Sequence, residues 1–181
     1  MRFYFSLFIS LFLLVQLGAQ SALSSFNTYY DDSFTEWEVY NEEEQVGTIE
    51  MKWKHRNDWS EWNIAVGELY GNIKMKWDNN PNQWEVRLNN EIIDIKTVYP
   101  NDFSEWRIND GTKELRLRSK FKNTSDEWTV DHKTYGFMDI FTAWDGDPRD
   151  WNIEDGLTNS IGPEIKIAMI FIAILHSSPK F

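Results

Sequence analysis

The chain has 181 residues, a length suited to one domain at ~150 residues each, and its 18 Lys+Arg against 29 Asp+Glu give a formal charge of −11. That balance argues against a nucleic-acid surface, which needs clustered Lys and Arg, and disfavours docking on anionic lipid headgroups. With no cysteine, disulfides, thiolate metal sites and a cysteine nucleophile are excluded, while 16% aromatics with ten Trp point to a packed core instead of disorder.

Residues 1–21 read as a secretory signal peptide. Arg2 supplies the positive start, Phe3 to Leu17 is almost wholly apolar, and Gly18, Ala19, Ser21 and Ala22 form a small-residue cleavage zone. The expected product is an exported protein, secreted or held in the periplasm or cell envelope, with no transmembrane span in the mature chain. Residues 22–181 contain no linker, composition break or low-complexity tract and are expected to form one domain.

Internal repetition dominates that domain. A Trp followed two places on by an aliphatic residue recurs at Trp37-Glu38-Val39, Trp62-Asn63-Ile64, Trp84-Glu85-Val86, Trp106-Arg107-Ile108, Trp128-Thr129-Val130 and Trp151-Asn152-Ile153, with spacings of 25, 22, 22, 22 and 23. Turn-like segments such as Asn57-Asp58-Trp59-Ser60-Glu61 and Asn101-Asp102-Phe103-Ser104-Glu105 lead into it. About ten residues later a second alternating run follows: Ile49 to Trp53, Ile73 to Trp77, Ile93 to Ile95, Leu115 to Arg118, a weaker copy at Phe137 to Phe141, and Ile165-Lys166-Ile167 in the sixth unit. Both runs have period two, so each unit reads as a β-hairpin, with Gly47, Gly71, Gly111 and Gly136 as its turn residues. The alternation places Trp, Val, Ile, Leu and Met on an inner face. Glu36, Glu61, Glu105 and Glu127 then share the outer face with Lys52, Lys74, Lys76, Arg116 and Arg118, an acidic row beside a basic one.

The last apolar run, Ile165 to Leu175, has eleven residues and an internal Lys166, too short to cross a bilayer at ~17 residues or more. Its isoleucines favour a strand on propensity. Pro163 and Glu164 suit a first helical turn, with Ser160 or Gly162 as cap, His176 near the end and Pro179 as the stop. Apolar residues on every face mean complete burial in either form. The reading adopted is a buried helix over about 163–177.

Ten to twelve strands in meander order, each apolar on one face, favour a closed up-and-down barrel that leaves no edge. At ~4.8 Å between strands and ~40° tilt, twelve strands enclose a backbone diameter of about 24 Å. Inward side chains leave an axial gap of roughly 10–12 Å, the thickness of one helix. The expected fold is all-β with one buried C-terminal helix: an antiparallel barrel of about twelve strands, built from hairpin repeats, with the helix through its centre. This architecture resembles the Tubby-like superfamily, which includes the LURP-one-related proteins and the phospholipid scramblases. The resemblance spans most of the mature chain, in hairpin order and in the segment Pro163–Ser177. It implies a non-enzymatic barrel with lipid association in several relatives. It carries no motif, and the export signal and lack of a basic cluster set this chain apart, so no residue role is transferred.

Candidate chemistry is sparse. His55, His132 and His176 show no metal-ligand spacing and accompany no nucleophile elbow. Asp145-Gly146-Asp147-Pro148-Arg149-Asp150 gathers three carboxylates but departs from a calcium loop and reads as a solvated turn, as does Glu42-Glu43-Glu44. The glutamates near each Trp repeat with the structure, so they describe an outer face and not one glycosidase site. Asn123-Thr124-Ser125 is a glycosylation sequon. No catalytic, cofactor or metal residue is expected. Three aromatics in turn positions, Trp59, Phe103 and Trp144, are the candidate ligand contacts. The expected role is a non-catalytic binding or structural protein of the cell envelope or exterior. The alternatives are a carbohydrate-binding module using those exposed rings, or a lipid-binding barrel with a cavity beside its plug.

Overall fold

The computed structural model describes residues 22–178 apart from 43, 122 and 123. Residues 1–21, where a signal peptide is expected, lie outside the described residues, as do Glu43, Asn123 of the sequon and Pro179. Twelve strands follow one another: β1 (Ser25–Tyr30), β2 (Ser33–Asn41), β3 (Glu44–Trp53), β4 (Asp58–Val66), β5 (Leu69–Met75), β6 (Gln83–Leu88), β7 (Glu91–Tyr99), β8 (Asp102–Asn109), β9 (Glu114–Ser119), β10 (Glu127–His132), β11 (Gly136–Thr142) and β12 (Asp150–Leu157). Among the described residues one α-helix, α1 (Pro163–Ser177), ends the fold, besides a 3-10 turn at Lys54–Arg56. Each strand pairs antiparallel with its sequence neighbours, and β1 pairs with β12 to close the barrel.

Closure corrects one expectation. Ile165-Lys166-Ile167 is helical, as the buried-helix reading expects, so the sixth unit supplies no second strand, and the partner of β12 is the N-terminal strand β1. Phe26, opposite Trp151 in the register, is fully buried and stacks on that indole at 5.5 Å. Once β1 occupies the edge of β12, the tail has no strand left to pair with. A segment inside a closed barrel must satisfy its backbone N–H and C=O groups within itself, and only a helix does that. Tertiary context thus overrides the strand propensity of the isoleucines.

The helix begins at Pro163 behind the N-cap Gly162 and closes on Ser178, whose N–H and hydroxyl both donate to the Ile174 carbonyl at 3.1 and 2.6 Å. Residues Ile167 to Leu175 are at most 2% exposed, so every face of the helix meets the wall. Phe171 packs edge-on against Trp62 of β4 and Trp84 of β6, and the helix backbone runs nearest to β6, β7 and β8. The inner wall consists of the expected aliphatic and Trp positions. Gly71 marks a place where the wall pinches: a Cβ there would lie 1.8 Å from the Arg87 carbonyl oxygen on β6, closer than any side chain tolerates.

The inner-face rule fails at the ends of two strands. Trp53 and Trp77, which continue the alternation of β3 and β5, are half-buried and 59% exposed respectively. The register of β3 shifts between Met51 and Trp53, and Trp77 lies two residues beyond the end of β5. A bulge or a strand end breaks the period of two and turns the next side chain outward.

Candidate functional site

All even-numbered strands begin at one end of the barrel, and five of their six lead-in turns share one local device. A short polar side chain accepts the N–H two residues on: Ser33 from Thr35, Asp58 from Ser60, Asn80 from Asn82, Asp102 from Ser104 and Asp147 from Arg149. The residue before it takes a left-handed conformation at Asn57, Asn79, Asn101 and Gly146, which Asn and Gly accommodate most readily. Four residues after the polar side chain comes the buried Trp. Its indole N–H donates to the carbonyl three residues back in every unit: Trp37 to Phe34, Trp62 to Trp59, Trp84 to Pro81, Trp106 to Phe103, Trp128 to Ser125 and Trp151 to Pro148, at 2.9–3.0 Å. A buried indole N–H left unpaired costs ~1–3 kcal/mol, so each Trp fills the core and clamps its own turn.

The clamped turns surround the C-terminal end of α1. A cleft of about 350 Å³ opens there between the β7–β8 and β9–β10 turns. Its floor is aromatic: His176 stacks on Phe103 at 5.2 Å and meets Trp106 and Trp128 at 5.1 and 6.1 Å. Its walls are hydroxyl, amide and carboxylate groups from Asn101, Asp102, Ser104, Ser119, Thr124 and Ser125. Ser177 donates to the Ser125 carbonyl at 2.9 Å, tying the helix end to the cleft wall. The Ser119 hydroxyl spans the carbonyls of Phe121 and Thr124 at 2.6 and 2.8 Å and shapes the longer β9–β10 turn.

The three candidate aromatics stand on this same rim but on different turns. Phe103 lines the cleft. Trp59 leans on Trp62 at 5.5 Å, and its indole N–H reaches Asn57 Oδ1 at 2.9 Å, so it serves its own turn. Trp144, 68% exposed, sits on the β11–β12 turn away from the cleft. The cleft walls escaped the sequence reading because their residues are ordinary turn formers. The visible signal was the lead-in segment Asn101-Asp102-Phe103-Ser104, whose pairing with the distant β9–β10 turn only closure decides.

The other sequence candidates resolve into local roles. His132 Nδ1 accepts the N–H groups of Thr134 and Tyr135 and caps the β10–β11 turn, and exposed His55 meets Trp53 edge-on at 6.4 Å. Asp147 grips Arg149 through both carboxylate oxygens at 2.9 and 2.6 Å, which lowers its pKa and raises that of Arg149. Among the described residues no group of three or more His, Asp and Glu side chains comes together as a metal site. At the opposite rim a second cleft of about 480 Å³ surrounds the start of α1, beside Glu91, Asp110, Lys113 and Glu164. Burial raises the Asp110 pKa, but the backbone N–H groups of Thr112 and Lys113 outweigh it and leave the carboxyl below its usual range.

Inside that rim lies a charge pair. Lys166, on the helix, donates to Asp155 Oδ2 at 2.6 Å, with side chains 16% and 2% exposed. Asp155 shares the inward parity of Trp151, Ile153 and Leu157 on β12, so one charge on the wall meets one on the plug. The outer wall carries the expected acid–base mosaic: Lys52 with Glu61 at 2.7 Å, Lys54 bridging Glu36 and Glu50, Lys76 with Asp94 at 2.6 Å and Arg116 with Glu105 at 3.7 Å. The Lys52 partner and the Trp53 indole hold the Glu61 carboxyl below its ordinary pKa despite partial burial.

Comparison with protein-family models, curated proteins and solved structures finds no match for this chain.

Proposed function

We propose that this is an exported, non-catalytic binding protein that engages a hydroxyl-rich ligand, a saccharide, at the lead-in rim of a barrel plugged by its own tail. One observation carries the reading: the interior is occupied by α1, while the rim cleft sets amide, hydroxyl and carboxylate groups around an aromatic floor. Sugars present both an apolar face and polar hydroxyls, and small-molecule sites with a few placed polar groups over aromatic rings suit them. The lipid-binding alternative has less support, because the plug fills the space an acyl chain would need and the outer wall is a mosaic of ion pairs, unlike a lipid-facing barrel. Kinship with the Tubby-like superfamily is part of the same proposal and rests on architecture: twelve antiparallel strands closed on a C-terminal helix. Export rests on the leader at residues 1–21.

The test is calorimetric titration with soluble glucose, mannose and N-acetylglucosamine oligomers. Thr124→Trp places a ring over the cleft from an exposed position and is expected to weaken binding at least ~10-fold with unchanged melting. A chain that binds none of these oligomers, or binds them equally well as Thr124→Trp, overturns the reading. Phospholipid retained through purification and detected by native mass spectrometry would favour the lipid barrel.

A further inference from the structure

The second strand of every hairpin, together with β1, reaches the lead-in rim, and the chain there carries an aromatic residue in all six units: Tyr30, Trp53, Trp77, Tyr99, Phe121 and Trp144. Five of these rank among the most exposed large apolar side chains of the described residues, at 53, 59, 64, 54 and 68% for Tyr30, Trp77, Tyr99, Phe121 and Trp144. Core packing does not account for them. The register shifts between Thr28 and Tyr30, between Met51 and Trp53, and between Thr97 and Tyr99, so three strands bulge just before the ring and turn it off the inner face. Polar edges are tied back to the wall: the Trp77 indole N–H donates to Gln83 Oε1 at 2.9 Å and that of Trp53 to Glu61 Oε2 at 3.2 Å. Cations cover Trp53, through Lys52 and Arg56, and Phe121, through Lys120. Trp77, Tyr99 and Trp144 have no ring or cation partner among the described residues. At the far rim Tyr70, Ile92 and Phe137 are also exposed, but they recur in only three of the strands.

We infer that this collar of aromatic side chains, one per repeat, is a multivalent surface for a neutral polysaccharide chain, deepening the saccharide reading of the cleft and resting on it. Rings on every second strand stand ~10–12 Å apart along the rim, by the ~4.8 Å strand spacing and the tilt, so an extended polymer meets several at once. Carboxylates follow three of the rings directly, as Tyr30-Asp31, Trp77-Asp78 and Trp144-Asp145, and offer acceptors for sugar hydroxyls beside each apolar face. At these three rings the carboxylates disfavour anionic lipid and anionic polymers, while Lys52, Arg56 and Lys120 at Trp53 and Phe121 offset their charge, so the collar as a whole suits an uncharged chain. Several weak contacts on one polymer bind far more tightly than any single one.

The experiment compares the wild type with Trp77→Ala/Trp144→Ala and Trp77→Phe/Trp144→Phe. Neither ring lines the cleft, and both are more than half exposed, so all three proteins are expected to melt together. Cosedimentation with insoluble cellulose, chitin and β-mannan reads the collar, and titration with soluble trisaccharides reads the cleft. The alanine pair is expected to lose at least ~10-fold in polymer binding while trisaccharide affinity moves less than ~2-fold, with the phenylalanine pair close to wild type. Undiminished polymer binding by the alanine pair overturns the inference, as does wild-type partition onto phosphatidylcholine vesicles without polymer binding. Trisaccharide binding without any polymer binding sinks the collar alone. Absence of both removes the cleft reading first and the collar with it.

Discussion

The two ends of the barrel are built by different rules. At the lead-in rim one clamp is made six times over on turns of different length, with a buried indole donating to the carbonyl three residues back in each copy. At the far rim no such clamp recurs: three connections are two-residue turns opened by a left-handed Glu42, Gly67 or Asn89, two are longer, and the chain dives inward after β12 to become the plug. The indole clamps at the first end are local and repeated; at the second, Lys166 and Asp155 tie the plug to the wall through one pair. Repetition leaves the first rim tolerant of change in any one copy, and therefore suited to carrying exposed functional side chains.

The contrast breaks most severely at the plug. Ile170→Asp, or deletion of Ile165–Leu175, buries an unpaired charge or empties the interior and is expected to abolish the cooperative melt; a wild-type-like melting curve for either variant refutes the plugged barrel. Next comes the ion pair between plug and wall. Lys166→Met strands a carboxylate that is 2% exposed and is expected to cost about 3–5 kcal/mol by denaturant titration. Adding Asp155→Leu should return most of that loss, and failure of the double variant to recover would show that the pair does not act as a unit.

At the lead-in rim the effects shrink. Trp84→Phe removes one clamp, leaves the Pro81 carbonyl without its donor and is expected to cost about 1–3 kcal/mol, with the other five units intact. Acid titrates the turns. The Ser60 hydroxyl and N–H hold Asp58 below its ordinary pKa, as Arg149 does Asp147 and Lys52 does Glu61. Carboxyls depressed in the folded state contribute stability that is present above the unfolded values of ~3.9–4.3 and is lost as pH falls through the lower folded values. Stability should therefore be flat from neutrality to about pH 5 and decline below about pH 4; equal midpoints at pH 7 and pH 3 would contradict the hydrogen-bonded turns. Smallest is the outer wall, where Lys52→Ala at a partly exposed pair should cost about 0.2–1 kcal/mol and less at high salt.

Much of this was legible beforehand. The spacing of the six Trp, the period of two around them and the apolar tail fixed hairpin order, inner face and plug, because each depends on local geometry that repeats. Trp53 and Trp77 were misplaced because a bulge or a strand end breaks the parity without any mark in the residue types. The Asp155–Lys166 pair was half visible: parity puts Asp155 inward, and Lys166 interrupts the apolar run, yet nothing local joins them. The cleft was least legible, since its walls come from turns about twenty residues apart and its floor from the last helical turn.

By itself, then, the sequence determined the strands, their faces, their order and the need for something to fill a ring of that width, since side-chain parity and volume are written along the chain. Tertiary structure alone decided that β1 would close the ring and which turns would meet over the end of the plug. Those outcomes depend on which backbone groups remain unpaired after all other strands have found partners, a property of the assembled sheet that no local stretch of residues carries.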